Sequence, residues 1–482
     1  MFATLRIAVL IYLGLAFAPG AFARSTLDEV SGESIDAVRA EARTSLVTRL
    51  LELAKWCNQN QLFEERDRVW RAVIALEPDN LDARKGLRYA RNVDGSWKEP
   101  SPRPAKNMNA AALKDLPEKR AQAVRPFAEA ILPPIQGEFV PHETRRSVLA
   151  EILSVDPDDP EARALLGEIK TEKGWVLKET VAGKTRRADI RAAVEAARAA
   201  PPGILPASAT ADEKKLFDKW KSGAQSGTVR VIGTGDAKAC EDMANQCRIT
   251  GAVFQAVLGV EPPWAEDFGM FLVAGSGEKD AFVAALPNLE DAQKDSLKKT
   301  IGGGVPGSWK IALFEPDETK RRDCGVRHAL AHLLNRGFEI ETAHAWIFEG
   351  LGLYLTREIC GTRLTWFCTG TGVTNQAKNS PRGRLITGDV NWMNEAYTVL
   401  TREKPADLAT VLGRDLTTMG IDDVLVSYAL AAFLVEGRSD AIPALLKAVG
   451  EDAAPADAIR TALGMSVPEL QLRLVRWLSE RK

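Results

Sequence analysis

The chain holds four histidines, and three of them, His328, His332 and His344, fall within seventeen consecutive residues. His328 and His332 are four apart in DETKRRDCGVRHALAHLLNRG. On an α-helix that spacing puts both imidazoles on one face, within reach of a single ion. Glu349 follows His332 by 17 residues, enough for one loop and a returning helix, AWIFEGLGLYLTRE, that would bring a carboxylate to the same ion. Two imidazoles and one carboxylate form a zinc donor set with a fourth position open to water. The chemistry such a set performs is polarisation of water or of a carbonyl.

The stretch RHALAHLLNRGFEIETAHAWIFEGLGLYL resembles the paired helices of the gluzincin clan of metallopeptidases, in the branch often called peptidase MA-like. There the first helix reads H-E-x-x-H and the second W-x-x-E-G-x-x-x-Y. The resemblance implies Zn2+ held by His328, His332 and Glu349, with Trp346, Gly350 and Tyr354 framing the carboxylate. It spans roughly Val229 to Leu355 and implies that Lys310 to Phe314 is the sheet edge along which a polypeptide substrate lies.

One residue departs from that pattern. Ala329 stands where the family has a glutamate that takes a proton from metal-bound water and passes it to the leaving amine. Loss of a general base costs about 10²–10⁴-fold in rate. The expected function is therefore that of a catalytically impaired pseudopeptidase, binding a polypeptide or serving as a structural module. The alternative is an active zinc hydrolase with an unusual base. Glu339 or Glu341 in the loop before the second helix would be that base, or His344 would act as base or extra ligand, although its place near the start of the Glu349 helix more simply suggests a helix-end role or one supporting a ligand. Tyr397 and Tyr428 are candidates for contacting a transition-state oxyanion. Cys324, one turn before His328, reads as a core residue ahead of a ligand or disulfide partner. Reverting Ala329→Glu would restore peptidase activity if ligands and cleft were intact.

The elements that must position these groups follow from periodicity and punctuation. Val229 to Ile232, Met270 to Ala274 and Lys310 to Phe314 read as short apolar strands alternating with helical patterns, and the third follows the glycine-rich turn 302–307. From about Met393 onward the periodicity is helical. Upstream, a diverged repeat appears at an offset of 79 residues, with Leu76-Glu77-Pro78-Asp79 matching Val155-Asp156-Pro157-Asp158 and Gly95 and Trp97 matching Gly174 and Trp175. A proline that cannot continue a helix closes one helix and acidic residues open the next. The segment LLELAKWCNQNQLFEERDRVWRAVIALEPDNLDARKGL resembles a tetratricopeptide-type repeat. Two copies are few for a long groove, so a helical cap or docking module is expected ahead of a peptide-binding superhelix.

The resulting expectation is a multidomain, mainly α protein with an α+β zincin-like domain. It comprises a signal peptide (1–23), a repeat (24–100), a second diverged repeat (101–197), a Pro/Ala/Ser-rich linker (198–225), a small mixed sheet with the two metal-site helices (226–370) and a C-terminal helical bundle (371–482). Arg6, the apolar run Ile7 to Ala18 and Ala21-Phe22-Ala23 describe an export signal, which places the mature chain in the periplasm or outside the cell. No later segment is long and apolar enough for a membrane span. With 63 basic against 65 acidic residues there is no field to attract nucleic acid, so the partner expected is a polypeptide.

Six cysteines permit 15 pairings. Cys240 and Cys247 sit seven residues apart on a helical pattern, roughly 10.5 Å, beyond the roughly 7 Å that a bridge spans. Cys360 and Cys368 are the pair to test first, and Cys57 reads as a free core thiol.

Overall fold

A computed structural model describes residues 32–101, 105–136, 140, 142–370, 372–374, 376–387 and 390–481. The expected export signal lies outside them. The described chain is mainly helical, with twenty helices against ten short strands, and it forms two compact units, Met1–Ala162 and Arg163–Lys482. None of the described helices is long and apolar enough to cross a membrane.

In the first unit the helices Gly32–Gln59, Phe63–Leu76, Ala110–Ile135 and His142–Val155 pack around a core that includes Leu46, Leu50, Val73, Phe127 and Ile152. Cys57 is fully buried there with a free thiol. The repeat has the same local build in both copies, but its second half differs from a helix-turn-helix. A helix ends at Leu76 or Val155, and the next helix is short, Leu81–Gly86 or Pro160–Leu165. Each short helix opens on a side-chain cap, Asn80 accepting from the Ala83 amide and Asp159 from the Ala162 amide. A β-hairpin follows instead of a second long helix: Ala90–Arg91 with Trp97–Lys98, and Glu168–Thr171 with Gly174–Leu177. Gly95 and Gly174 turn these hairpins at positive φ, 84° and 105°, where a side chain would be strained. In each copy an arginine from the short helix, Arg84 or Arg163, lies over the hairpin tryptophan, Trp97 or Trp175.

The second unit is built on a six-stranded mixed sheet ordered Leu205–Pro206, Ser222–Ser226, Val229–Gly233, Gly269–Leu272, Lys310–Leu313, Gly302–Gly304. The three central strands run parallel, and Gly269–Leu272 is buried at every residue, as a strand covered on both faces must be. Helices Ala237–Leu258 and Glu318–Phe338 pack against each other over one face. Phe217, Phe271, Phe282 and Phe314 fill the other. Lys310–Leu313 is therefore an interior strand and not the sheet edge expected; the strand at the edge beside it is Gly302–Gly304. The Pro/Ala/Ser-rich stretch is built into the same sheet: Leu205–Pro206 pairs with Ala224–Gln225, and Thr210 and Glu213 cap the next helix reciprocally.

Beyond the sheet the helix Ile421–Gly437 is buried from Val424 to Glu436 and packs on both Ala345–Cys360 and Lys178–Ala199. A helix apolar all round belongs inside a core. Buried Glu436 is matched by Arg187 and Arg481 at 2.6 Å each and accepts from the Tyr354 hydroxyl. At one end of the unit the Glu480 carboxylate accepts from the Leu177 amide and the Thr180 hydroxyl, joining residues 300 or more positions apart. All six cysteines are free and buried. The Cys360 and Cys368 thiols are not bridged, and burial pushes both above their ordinary range.

Candidate functional site

The histidine helix, Glu318–Phe338, starts at Asp317, whose side chain accepts from the Lys320 amide, and ends at Glu339 in the left-handed region (φ 58°). The glutamate helix, Ala345–Cys360, starts at His344 and ends at Gly361 (φ 75°). The two helices pack on one another. Gly350 permits a close approach, since a side chain there would collide with the Ser427 carbonyl of the Ile421–Gly437 helix. Asp323, fully buried, pins the loop after the glutamate helix by accepting from the Leu364 and Thr365 amides and the Thr362 hydroxyl. Trp346 and Tyr354 are buried on the flanks of Glu349 in the sequence.

The histidine and glutamate side chains are engaged separately. Glu349 is fully buried and both its oxygens have partners: Oε2 accepts from Arg327 Nη2 at 2.5 Å and Oε1 from the Phe367 amide at 2.9 Å. Arg327 is the residue before His328 and is itself wholly buried. It also donates to the Phe348 carbonyl, and its guanidinium stacks over Phe367 at 4.5 Å and Phe348 at 5.2 Å. Gly352 makes room for it, because a side chain there would strike the guanidinium. His328 lies against the Phe367 ring, 4.8 Å between centroids. His332 Nε2 accepts from the Ala265 amide at 3.1 Å, which leaves the proton on Nδ1, a buried atom with no partner. Its ring is enclosed by Phe268 at 4.2 Å, Trp309 at 5.2 Å and Trp264 at 5.8 Å.

Zinc requires a free lone pair from each donor, aimed at one point. Here the Glu349 oxygens and His332 Nε2 are already taken, and a guanidinium beside the carboxylate adds a like charge where a cation would sit. Among the described residues no three His, Cys, Asp or Glu side chains are grouped to hold a metal ion. His328, His332 and Glu349 as arranged do not fit the ion that the resemblance implies, so no chemical step is derived through one. Ala329, fully buried, belongs to an apolar cluster with Phe268, Met270, Leu313 and Cys324. The general-base position therefore faces packed side chains and not a cleft.

The other candidates have structural surroundings. Glu339 and Glu341 are exposed at the far end of the histidine helix, at least seven residues or roughly 10 Å along the axis from His332. His344 stands at the N-cap position of the glutamate helix without a side-chain bond into it; its Nδ1 accepts from the Glu341 amide in the preceding loop and its Nε2 lies 3.3 Å from Asp452. Tyr397 packs at the margin of the main core. Tyr428 is buried, its hydroxyl accepting from Arg363 at 3.3 Å. Arg327, which determines what Glu349 does, is the residue that a search for metal donors passes over. Its signal is a basic residue at a buried position of the helix, one turn after buried Asp323, with a glycine, Gly352, placed to admit it.

Burial, and then the Arg327 charge, hold His328 neutral down to about 3, and burial followed by Arg336 holds His332 neutral down to about 4. A histidine in the unfolded chain titrates near 6.5. Between those values the unfolded state binds more protons, so stability is complete above about pH 6.5 and declines on acidification by about 1.4 kcal/mol per pH unit for each ring. Urea midpoints recorded from pH 7.5 down to 4.5 should fall steadily, and His332→Phe should flatten the slope. A midpoint independent of pH across that window would contradict the assignment of two neutral rings, His332 buried and His328 partly exposed against Phe367.

Comparison of the chain with protein-family models, with characterised proteins and with solved structures finds no match to any of them.

Proposed function

We propose that this is an exported, gluzincin-like pseudopeptidase that does not hydrolyse peptides and acts by binding a polypeptide or as a structural module. The paired-helix motif supports the family reading. The observation that carries the loss of chemistry is the Arg327–Glu349 pair, 2.5 Å between heavy atoms and closed to solvent at both ends. In this reading Arg327 supplies a fixed positive charge against Glu349 and ties the two helices together. The helical repeat of the first unit, closed by the arginine-backed Trp97 hairpin, serves as the docking module for a protein partner.

The chain from Arg24 onward, purified and treated with a strong chelator, should melt at the same temperature as untreated protein. It should also leave a generic peptide pool intact, with or without added zinc. Stoichiometric zinc together with cleavage that His332→Ala abolishes would overturn the proposal in favour of a hydrolase with an unusual base.

A further inference from the structure

Three arginines line one cavity of the second unit away from the histidines, where the loop after the glutamate helix meets Tyr428. A cavity of about 460 Å³ opens there, lined by Arg357, Arg363 and Arg481 with Thr362, Asn391 and Tyr428 among its polar groups. Leu364, Leu385, Val390, Trp392 and Met393 supply an apolar wall. That size is in the range of pockets that enclose small organic ligands. Among the described residues no carboxylate lines it.

The three arginines differ in their commitments. Arg481 is paired with Glu436. Arg357 is exposed at the mouth and has no ion pair among the described residues. Arg363 is half-buried, stacked 4.1 Å over Trp392, and its neighbours are weak acceptors: the Tyr428 hydroxyl and the Val390 carbonyl, each at 3.3 Å. Its Nε is buried without a partner. The field of Glu358 reaches it, but the two make no ion pair among the described residues. Burial dominates the surroundings of Arg363 and lowers its affinity for its proton, as expected of a cation lacking a counter-ion. A largely desolvated guanidinium with an unused donor is costly to keep, and such groups are retained where a ligand completes them.

We infer that this cavity binds a small organic anion, with a carboxylate or phosphate group on Arg363 and Arg357 and an apolar body against Trp392 and Met393. A guanidinium pairs with either oxyanion through parallel N–H donors. The inference does not depend on whether the chain is a pseudopeptidase.

Calorimetric titration of the full mature chain with 1-naphthoate and with 1-naphthyl phosphate tests it, with 1-naphthamide as the uncharged control and inorganic phosphate as the anion without an apolar body. At least one naphthyl anion should bind one to one and raise the melting temperature, and the stronger of the two identifies the headgroup. Arg357→Gln, at an exposed position that does not threaten folding, should weaken that binding at least tenfold. Arg363→Met should abolish it while leaving the unliganded protein at least as stable. Absence of binding by both naphthyl anions, equal binding by the amide, or unchanged affinity in Arg357→Gln would overturn the proposal. Inorganic phosphate binding as tightly as naphthyl phosphate would overturn the role given to the apolar wall.

Discussion

Arg327→Leu should be among the most destabilising single substitutions in the second unit, lowering the unfolding free energy by about 3–5 kcal/mol through an uncompensated buried carboxylate. Glu349 has no access to water and keeps only the neutral Phe367 amide and Cys368 thiol when the guanidinium is removed. Its remaining route is to take up a proton, so the loss should be smaller at low pH than at neutral pH. The double variant Arg327→Leu/Glu349→Leu removes both charges and should recover most of the loss, because a buried ion pair replaced by apolar groups of similar volume is often neutral. Urea denaturation of the parent, both single variants and the double variant completes the cycle. If Arg327→Leu unfolded within about 1 kcal/mol of the parent, the pair would be incidental and the reading of Arg327 as the fixed cation would fail.

Ala329→Glu should destabilise the protein and leave it inactive, against the restored hydrolysis that the motif alone suggests. Ala329 is wholly enclosed beside Phe268, Met270 and Leu313. A glutamate there adds four heavy atoms, two of them oxygens, to a packed apolar cluster and must either distort it or stay protonated. Overpacking alone costs about 1–3 kcal/mol, and burying the polar group adds about 1–3 kcal/mol more. The expected result is a lower urea midpoint than Ala329→Ser shows, with no cleavage of a peptide pool. A folded Ala329→Glu protein that cleaved peptides in the presence of zinc would mean that the packing seen around position 329 opens in solution.

How much of this was legible in the sequence depends on the kind of signal. The apolar runs at Val229, Met270 and Lys310 became the three central strands, because burial on both faces demands continuous apolar residues. The helices carrying His328 and Glu349 were legible too, the first opened by the Asp317 cap and the second stopped by Gly361. Ser222–Ser226, reading SGAQS, carries neither β-branched nor aromatic residues and is a strand only because Val229–Gly233 pairs with it. The two repeat hairpins are two to four residues long, below the length at which alternation is visible. The side-chain arrangement was the least legible part. Spacing places His328, His332 and Glu349 on neighbouring helices, but which group each one meets is decided by Arg327, Ala265 and Phe367, and no local pattern marks those contacts.

The hydrogen bonds from Leu177 and Thr180 to Glu480 have a consequence for how the polypeptide is made. Contacts this distant in sequence form late, since a long loop must close before they give any return. During synthesis the hairpin at 168–177 and the helix that follows it must wait, with their apolar faces uncovered, until residue 480 has left the ribosome. The first unit has no such dependence and can fold as it emerges. Ribosome-bound chains stalled at successive lengths should therefore gain protease resistance in the first unit long before the second, which becomes resistant in one late step.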